Sequence, residues 1–405
     1  MTKNSKAISS TAVIVIPTYR EADIIGKTID VLCTDTFAKI KKREGGLSWD
    51  WQMKILVVDG NSPDGTGKVV EDRAKKYDNL FLFMETSKDG LGAAYYKGFK
   101  YAIEKLKADF LFEFDSDLQH PPSTIPIMLK KMEEGYDYVI GSRKIRGGSN
   151  PKGWGFKRVF FSEIGGFVAR VIMFFPFRNF WRVTDPTTGL KVTRVKGFAD
   201  KMDLTDFKHL HSRGFGYKLQ LLYETLQMGA RFTEIPLQFN VRTTGESKIE
   251  PQTAKEIFRV CFIMRWHDEF TQKFLKFGLV GGFGFIVNVV GARLFKPLLL
   301  STGLGVSLAN GIANGLAAEV SIISNFIWNN LWTFKAEKIT GGKIITKFLT
   351  FNLSSIVNGI VIPSAIITLL TSLFGDHFFL YQVIAIFGLT IPLNWLTYNR
   401  VIWKK

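Results

Sequence analysis

Short apolar runs alternate with polar stretches of helical periodicity through roughly the first 240 residues of the chain. Each apolar run ends in a polar or glycine-containing turn, the pattern of a buried strand. The first four predicted strands are Val13–Ile16, Lys54–Val58, Asn79–Phe83 and Asp109–Phe114. Because predicted helices separate them, the pattern indicates a doubly wound, mostly parallel α/β sheet.

The following segment continues this pattern less regularly. Tyr138–Arg143 predicts another strand, Gly214–Met228 a helix and Phe232–Phe239 a strand. Phe156–Phe175 is aromatic but carries too many charges for a membrane span, so we expect an amphipathic helix lying on the bilayer; packing inside the soluble domain is the alternative. The charged, aperiodic stretch Lys39–Asp50 predicts a surface excursion.

The pattern changes at Lys273, where long apolar runs begin. Each run has the roughly 20 apolar residues that a bilayer core requires. The predicted spans are 274–294, 306–333, 348–372 and 379–399. The sequence therefore predicts three parts: an α/β domain over 1–245, an amphipathic juxtamembrane connector over 246–272, and an all-α four-span transmembrane domain over 273–405.

Charge supports this division and sets an orientation. From Lys273 onward there are 11 Lys and Arg but 3 Asp and Glu, a net charge of +8 out of the total of +17. The basic residues flank the spans, and the positive-inside rule then places both termini and the α/β domain in the cytoplasm. We expect a multi-pass protein of the cell membrane whose active site faces the cytoplasm.

Composition excludes several other classes of protein. No basic helix with interleaved aromatic residues accompanies the positive charge, so nucleic acid is not an expected partner. Two cysteines, Cys33 and Cys261, cannot form a disulfide framework, and no Cys/His cluster has zinc spacing. The polar start and the short apolar run Ala12–Ile16 do not fit a signal peptide.

Two carboxylates, Asp115 and Asp117, follow the fourth predicted strand one residue apart. If the chain stays extended, both point the same way and can meet one hard divalent cation that also holds a diphosphate. An isolated Asp-x-Asp more often begins a turn. The strand before this pair and the Gln119–Pro122 segment after it favour a metal site.

Other candidate residues stand at predicted strand ends, where α/β sheets bind ligands. Glu21 and Asp59 follow the first two strands, although each also suits an ordinary helix start or turn. Gly90 and Gly92 open a helix and allow close approach to a phosphate or sugar. Arg143, Arg158, Arg242 and Lys248 form a candidate anion-binding set, or else solvated surface.

Together these motifs resemble the family 2 glycosyltransferases of GT-A fold, most closely the polyprenyl-phosphate (dolichyl-phosphate) mannosyltransferases. The resemblance covers about residues 11–250, and the remainder resembles the four-span GtrA-like domain. The motifs are Pro17–Ala22, Val57–Thr66, Lys88–Gly98, Asp115–Pro122, Gly141–Arg143 with Gly147 and Gly148, Asp185–Gly189, and Arg242–Lys248. Two departures from the family pattern are Gly60, where a second acid is usual, and Leu190-Lys191, where an aromatic–Arg pair is usual.

The resemblance implies the following site residues. The nucleotide would be held by Pro17, Tyr19, Glu21, Val58, Asp59, Lys88, Asp115 and Ser116. Mg or Mn would be bound by Asp115, Asp117 and Gln119. The lipid phosphate would be received by Arg143, Arg158, Ser162, Arg242 and Lys248. The catalytic residues would be Asp115, Asp117 and Arg143.

The implied reaction transfers mannose from GDP-mannose to dolichyl (polyprenyl) phosphate by direct displacement with inversion. The acceptor, a phosphate monoester with a second pKa of about 6, is already anionic near neutral pH and needs little help from a base. Accordingly, the chain lacks the Glu/Asp-Asp-x-x-Arg-Trp motif of hydroxyl acceptors, which also disfavours a processive polysaccharide synthase. Remaining alternatives are a UDP-sugar transferase (glucose or a modified pentose) and a lipid-linked sugar flippase.

Overall fold

In the computed structural model the described residues are 8–151, 153–204, 210–241 and 251–404. The chain forms two compact units, Met1–Arg265 and Trp266–Lys405. The first is a mixed α/β unit and the second is helical. The predicted fold class, a doubly wound α/β domain followed by four spans, is confirmed.

The first unit is built on a seven-stranded sheet. Its strands are β1 (Ser9–Thr18), β2 (Asp50–Asp59), β3 (Leu80–Met84), β4 (Phe110–Glu113), β5 (Tyr138–Ser142), β6 (Lys191–Arg194) and β7 (Phe232–Pro236). The spatial order is β3-β2-β1-β4-β6-β5-β7. All pairs are parallel except those of β6, which runs antiparallel to both β4 and β5. The carboxyl ends of the parallel strands therefore share one edge.

Nine α-helices of four residues or more are described up to His267. They are α1 (Ala22–Val31), α2 (Phe37–Lys41), α3 (Thr66–Ala74), α4 (Leu91–Glu104), α5 (Thr124–Glu133), α6 (Phe156–Phe174), α7 (Arg178–Arg182), α8 (Tyr217–Gln227) and α9 (Pro251–His267). The helices that alternate with β1 to β5 supply the crossovers that parallel strands need.

The sheet is buried on both faces, as its continuous apolar strands require. Along β1, Ala12, Ile14 and Ile16 enter one hydrophobic cluster, which includes Ile25 of α1. Val13 and Val15 enter the opposite cluster. This alternation follows from the two-residue period of a strand, so the apolar run predicts two covered faces.

Several predicted bounds differ from the structure. The first two strands are longer than predicted because Ser9–Thr18 and Asp50–Asp59 pair in parallel over their full length. Consequently the predicted excursion Lys39–Asp50 was too long, since it begins inside α2 and ends inside β2. The excursion is anchored by Glu133, whose carboxylate accepts hydrogen bonds from Ser48, Trp49 and Trp51.

Helix α6 has two different faces. Ala169, Met173 and Phe174 pack into a hydrophobic cluster of the first unit. The opposite stripe exposes Phe156, Phe160, Ile164, Phe167 and Val171. These positions recur every three or four residues, the spacing of one helix face. The packed side agrees with the alternative of packing inside the soluble domain, and contact of the exposed apolar side with the bilayer stays a prediction.

The second unit contains four helices long and apolar enough to cross a membrane, among the residues the structure describes. They are Glu269–Leu300, Val306–Thr333, Lys343–Phe374 and Phe378–Ile402, which we call spans 1 to 4. Spans 1 and 2 approach closely, because a Cβ at Gly291 would lie 3.1 Å from the Ala317 side chain. Small residues at such a contact are typical of helix packing in lipid.

Polar side chains also join the spans. Asn358 donates to Asn394 and Thr397, which links spans 3 and 4. Glu319, an ionisable residue within the apolar span 2, accepts a hydrogen bond from Asn352 of span 3. Pairing of this kind is how ionisable residues are accommodated within a membrane.

Candidate active site

A cavity of about 850 Å³ opens at the carboxyl edge of the sheet in the first unit. Residues after β1, β4 and β5 line it, as expected for an open α/β sheet. The sequence-predicted residues among its lining are Pro17, Tyr19, Glu21, Lys88, Gly90, Asp115, Ser116, Asp117, Gln119, Arg143 and Arg158. The fold therefore gathers eleven of the predicted candidate residues around one space.

The two central carboxylates reach the cavity from a turn. β4 ends at Glu113, so the expectation that an extended chain aligns Asp115 and Asp117 was wrong. The Gln119 backbone N–H donates to Asp117 Oδ1, at 3.1 Å, and Leu118 adopts a positive φ of 55°. Non-glycine residues rarely adopt this conformation, so the surrounding contacts must hold it.

Asn240, which follows β7, supplies those contacts. Its backbone N–H donates to the Gln119 carbonyl and its side chain to the Leu118 carbonyl. The Gln119 side-chain nitrogen in turn donates to the Asn240 carbonyl, at 3.1 Å. Since its nitrogen is engaged there, Gln119 keeps its amide oxygen for a ligand in the cavity.

Asp115 lies between two basic side chains. Lys218 Nζ is 3.5 Å from Asp115 Oδ1, and His120 Nδ1 is 3.6 Å from Asp115 Oδ2. His120 is buried, and neither of its ring nitrogens has a hydrogen-bond partner among the described residues. Burial lowers the pKa of His120, only partly offset by Asp115. A buried imidazole without partners beside a carboxylate indicates a place where a bound group completes the site.

The donor set fits Mg or Mn. No three His, Cys, Asp or Glu side chains within the described ranges form a metal-binding group. Mg characteristically uses one or two carboxylates together with waters and substrate phosphates, rather than a cage of protein ligands. Asp115, Asp117 and the Gln119 amide oxygen match that requirement, and His120 is the orphaned polar group beside them.

Gly189 lies against the ends of side chains that line this region. A Cβ at Gly189 would lie 2.6 Å from Lys218 Nζ and 2.8 Å from Asp115 Oδ2. Both distances are shorter than any real Cβ contact. The absence of a side chain at Gly189 therefore lets the loop before β6 pass close to the Asp115 carboxylate.

Arg143 enters the cavity from the end of β5 on a buried ion pair. Its Nε and Nη2 each lie 2.7 Å from an oxygen of Asp185, a bidentate arrangement. Burial alone would raise the pKa of Asp185, but the adjacent Arg143 charge and its hydrogen bonds lower it. Asp185 thus fixes one edge of the guanidinium and leaves the other for a ligand.

The remaining predicted anion-binding residues have different positions. Arg158 lines the cavity from the first turn of α6, with its guanidinium 4.1 Å from the Trp154 ring centroid. Ser162 lies one turn further along α6, half-buried and outside the lining. Arg242 and Lys248 fall outside the described residues, so their roles stay predictions.

At the β1 end of the cavity, Lys88 Nζ lies 3.9 Å from the Tyr19 ring centroid. Val58 and Asp59 are fully buried and do not line the cavity. The Asp59 carboxylate instead accepts hydrogen bonds from Thr18 and Ser62. It therefore organises the two loops that flank the cavity, and direct contact of Asp59 with a nucleotide stays a prediction.

Sequence reasoning missed other lining residues. Glu85, Trp154, Phe215, Lys218 and Phe239 belong to this group. Lys218 stands inside the largely apolar helix α8, where a lysine is out of place on a buried face, and this was the available signal. Glu85 follows the third predicted strand, so it carries the same signal as Glu21 and Asp59, an acid at a strand end.

Lys218 is in contact with a buried network of charged and hydrogen-bonded side chains. Lys191 of β6, noted as a departure from the family pattern, donates to the Lys218 carbonyl at 2.8 Å. Burial lowers the pKa of Lys191 to about 8, although Glu113 opposes this. Burial raises the pKa of Glu113, which accepts a hydrogen bond from the Tyr217 hydroxyl. The buried charges of Lys191 and Glu113 are thus coupled to Lys218, which lines the cavity.

Comparison with known proteins assigns both units. The family model described as "Glycosyl transferase family 2" matches residues 13–187. The model described as "GtrA/DPMS, transmembrane domain" matches residues 276–403. Together with the four spans, the second match makes the chain an integral membrane protein.

Three curated proteins illustrate the relationship. A dolichol-phosphate mannosyltransferase of Pyrococcus furiosus is 29% identical over 94% of this chain and 97% of its own length. An undecaprenyl-phosphate mannosyltransferase of Micrococcus luteus is 32% identical over 62% of this chain and 92% of its own. A polyprenol monophosphomannose synthase of Mycolicibacterium smegmatis is 31% identical over 52% of this chain and 75% of its own. The chain therefore belongs to the family 2 glycosyltransferases, and its catalytic unit is joined to a GtrA/DPMS transmembrane domain.

Proposed function

We propose that this protein transfers mannose from GDP-mannose to a polyprenyl phosphate such as dolichyl phosphate, giving polyprenyl phosphate mannose and GDP. The observation that carries the proposal is the cavity where the Asp115–Gln119 turn and Arg143 meet. The Asp115–Gln119 turn supplies oxygen ligands, and Arg143 supplies a fixed positive charge. The names of the three relatives support the choice of substrates, since two are mannosyltransferases named for dolichol phosphate and undecaprenyl phosphate and the third is a polyprenol monophosphomannose synthase.

In this proposal separate groups of residues bind the nucleotide, the metal ion and the lipid phosphate. Pro17, Tyr19, Glu21, Lys88 and Ser116 contact the nucleotide, with Val58 and Asp59 supporting it from beneath. Asp115, Asp117 and Gln119 hold Mg or Mn, which when bound neutralises the departing diphosphate. Arg143, Arg158, Ser162, Arg242 and Lys248 receive the lipid phosphate.

The protein's part in the reaction is positioning and electrostatics. The acceptor phosphate is already ionised near neutral pH, so no general base needs to remove a proton from it. Arg143, held by Asp185, aligns the phosphate oxygen against the anomeric carbon, and burial strengthens this charge interaction. The new C–O bond forms opposite the bond to the diphosphate, and direct displacement therefore inverts the anomeric carbon.

The exposed stripe of helix α6 supports a route for the lipid acceptor into the cavity. Phe156, exposed over 82% of its surface, and Phe167, over 53%, lie on the apolar stripe. Arg158, on the same helix, lines the cavity. We propose that the stripe lies in the bilayer interface, since aromatic residues favour that position. A headgroup at the membrane surface then meets Arg158 first.

We further propose a cell-membrane location with the α/β domain on the cytoplasmic side, and the domain limits 1–245, 246–272 and 273–405. The basic residues that flank the spans support this orientation. Protease digestion of sealed right-side-out and inverted vesicles tests it. Cleavage of the α/β domain in right-side-out vesicles would refute the orientation.

The decisive test is a donor screen on purified full-length protein. GDP-mannose, UDP-glucose and a UDP-pentose, each radiolabelled in the sugar, are incubated with a polyprenyl phosphate and Mg or Mn. We expect label in the lipid phase from GDP-mannose alone. Transfer from a UDP-sugar instead, or no transfer from any donor, would refute the proposal.

A further inference from the structure

A buried carboxylate that the assigned roles do not use lies at the β3 end of the cavity. Glu85 directly follows β3, and its backbone N–H donates to the Asp59 carbonyl at 2.8 Å. Its side chain is 2% exposed, yet it lines the cavity. In the strand order, β3 lies on the far side of β1 from β4 and β5, which carry the oxygen ligands and Arg143. Glu85 therefore stands at the end of the cavity remote from the proposed reaction.

The Glu85 carboxylate is held in one orientation. Lys97 Nζ lies 2.6 Å from Glu85 Oε1 and 2.6 Å from Asp89 Oδ2. This cation fixes Oε1 and opposes the effect of burial, which raises the pKa of Glu85 above its ordinary value. The second oxygen, Oε2, points to a gap at Gly60, where a Cβ would lie 3.6 Å away.

Tyr19, Gly60 and Glu85 all line this end of the cavity. The same Cβ position at Gly60 lies 3.5 Å from the Tyr19 ring. With no side chain at Gly60, the space between the Tyr19 ring and the Glu85 carboxylate stays open. Stacking of a base on an aromatic ring is a common and favourable contact. A ring placed there would have a carboxylate at its edge.

A carboxylate discriminates among nucleobases because it accepts hydrogen bonds and donates none when ionised. Guanine presents two adjacent donors, N1–H and the 2-amino group, which match two carboxylate oxygens. Uracil presents one N–H between two carbonyl oxygens. Adenine and cytosine each place an acceptor nitrogen beside their amino group. Only guanine pairs with a carboxylate through two hydrogen bonds and without repulsion.

We propose that Glu85 reads the Watson–Crick edge of guanine and so selects guanosine diphosphate sugars as donors. The inference rests on the proposed function for the existence of a nucleotide in this cavity. It adds the residue that chooses the base, which neither the Asp115–Gln119 turn nor the arginines can do. Charge-assisted bidentate hydrogen bonds supply both affinity and geometric selectivity.

The test measures dissociation constants of GDP, IDP and UDP by calorimetry on the full-length protein. IDP keeps N1–H but lacks the 2-amino group, so it removes one of the two proposed hydrogen bonds. We expect the wild-type protein to bind GDP about tenfold more tightly than IDP, and UDP more weakly still. Equal affinity for GDP and IDP would overturn the proposal without any variant.

Variants then assign the effect to one carboxylate. Glu85→Gln keeps the size of the side chain but places an N–H donor at the base edge. We expect it to weaken GDP binding about tenfold to a hundredfold and to bring the GDP-to-IDP ratio close to one. Asp89→Asn is the matched control, because Asp89 contacts the same Lys97 but does not line the cavity. It should leave that ratio unchanged.

A purely structural role of Glu85 predicts a different result. The thermal midpoint of Glu85→Gln would fall, and GDP and IDP would weaken equally, which would overturn the proposal. The transfer assay separates this outcome from failure of the proposed function. If the protein transfers mannose but binds GDP and IDP equally well, only the inference about Glu85 is refuted. Guanine selectivity without transfer to polyprenyl phosphate refutes the proposed reaction alone.

Discussion

Neutralising Asp185 is the sharpest test of the Arg143 arrangement. Asp185→Asn keeps the shape of the side chain but leaves a buried guanidinium without its counter-charge. The wild-type pair is bidentate, with both N–O distances at 2.7 Å, and the Asp185 side chain is 1% exposed. Removing one partner of such a pair costs about 3–5 kcal/mol. Asparagine still accepts one hydrogen bond, so we expect about 3 kcal/mol.

That loss can be measured in two ways. At about 2–4 °C per kcal/mol for a unit of this size, the unfolding midpoint of the first unit should fall by roughly 6–12 °C. The Michaelis constant for polyprenyl phosphate should rise about tenfold to a hundredfold, since a loosened guanidinium loses a hydrogen bond to a charged group. The constant for GDP-mannose should stay within about twofold.

The matched control is Asp137→Asn, which breaks another Arg–Asp pair on the same sheet. Arg194 Nε lies 2.9 Å from Asp137, and both side chains are about a quarter exposed. A more exposed pair contributes about 1 kcal/mol, so the control should lose little stability and keep its acceptor constant. If Asp185→Asn destabilises the protein but leaves acceptor use unchanged, the role of Arg143 in receiving the lipid phosphate is wrong.

Three further predictions concern the floor and the cation site. Asp117→Ala should abolish both transfer and the gain in GDP affinity that Mn²⁺ produces, and calorimetry showing an intact gain would contradict the metal assignment. Gly189→Ala should reduce transfer at least tenfold, because its Cβ would lie 2.6 Å from Lys218 Nζ. The control Gly165→Ala, at a position with open space around it, should leave transfer unchanged. Lys191→Met tests whether the pKa of Lys191 in the folded protein is about 8. Between that pKa and the value of about 10.5 in the unfolded chain, Lys191 is protonated in the unfolded chain but has lost its proton in the folded protein. The stability of the wild-type protein therefore rises with pH in this range. The midpoint of the wild type minus that of the variant should grow from pH 7.5 to 9.5, and a constant difference would refute the assignment.

The sequence alone predicted the features that depend on local periodicity. Continuous apolar runs such as Val13–Ile16 predicted strands covered on both faces, because successive side chains alternate. Long apolar runs predicted four spans, and their length is set by the bilayer. The ordered motifs around Asp115 and Asp117 predicted the family correctly, since a motif is itself a local pattern.

Only the tertiary structure decided which distant residues meet. Arg143 and Asp185 pair across 42 positions of sequence, because β6 inserts antiparallel between β4 and β5. Glu85 and Lys218 come to the same cavity from β3 and α8, and no spacing along the chain announces this. The turn at Leu118 depends on Asn240, more than 120 residues later. Periodicity describes what a segment buries, whereas convergence depends on strand order and crossovers, which no single segment encodes.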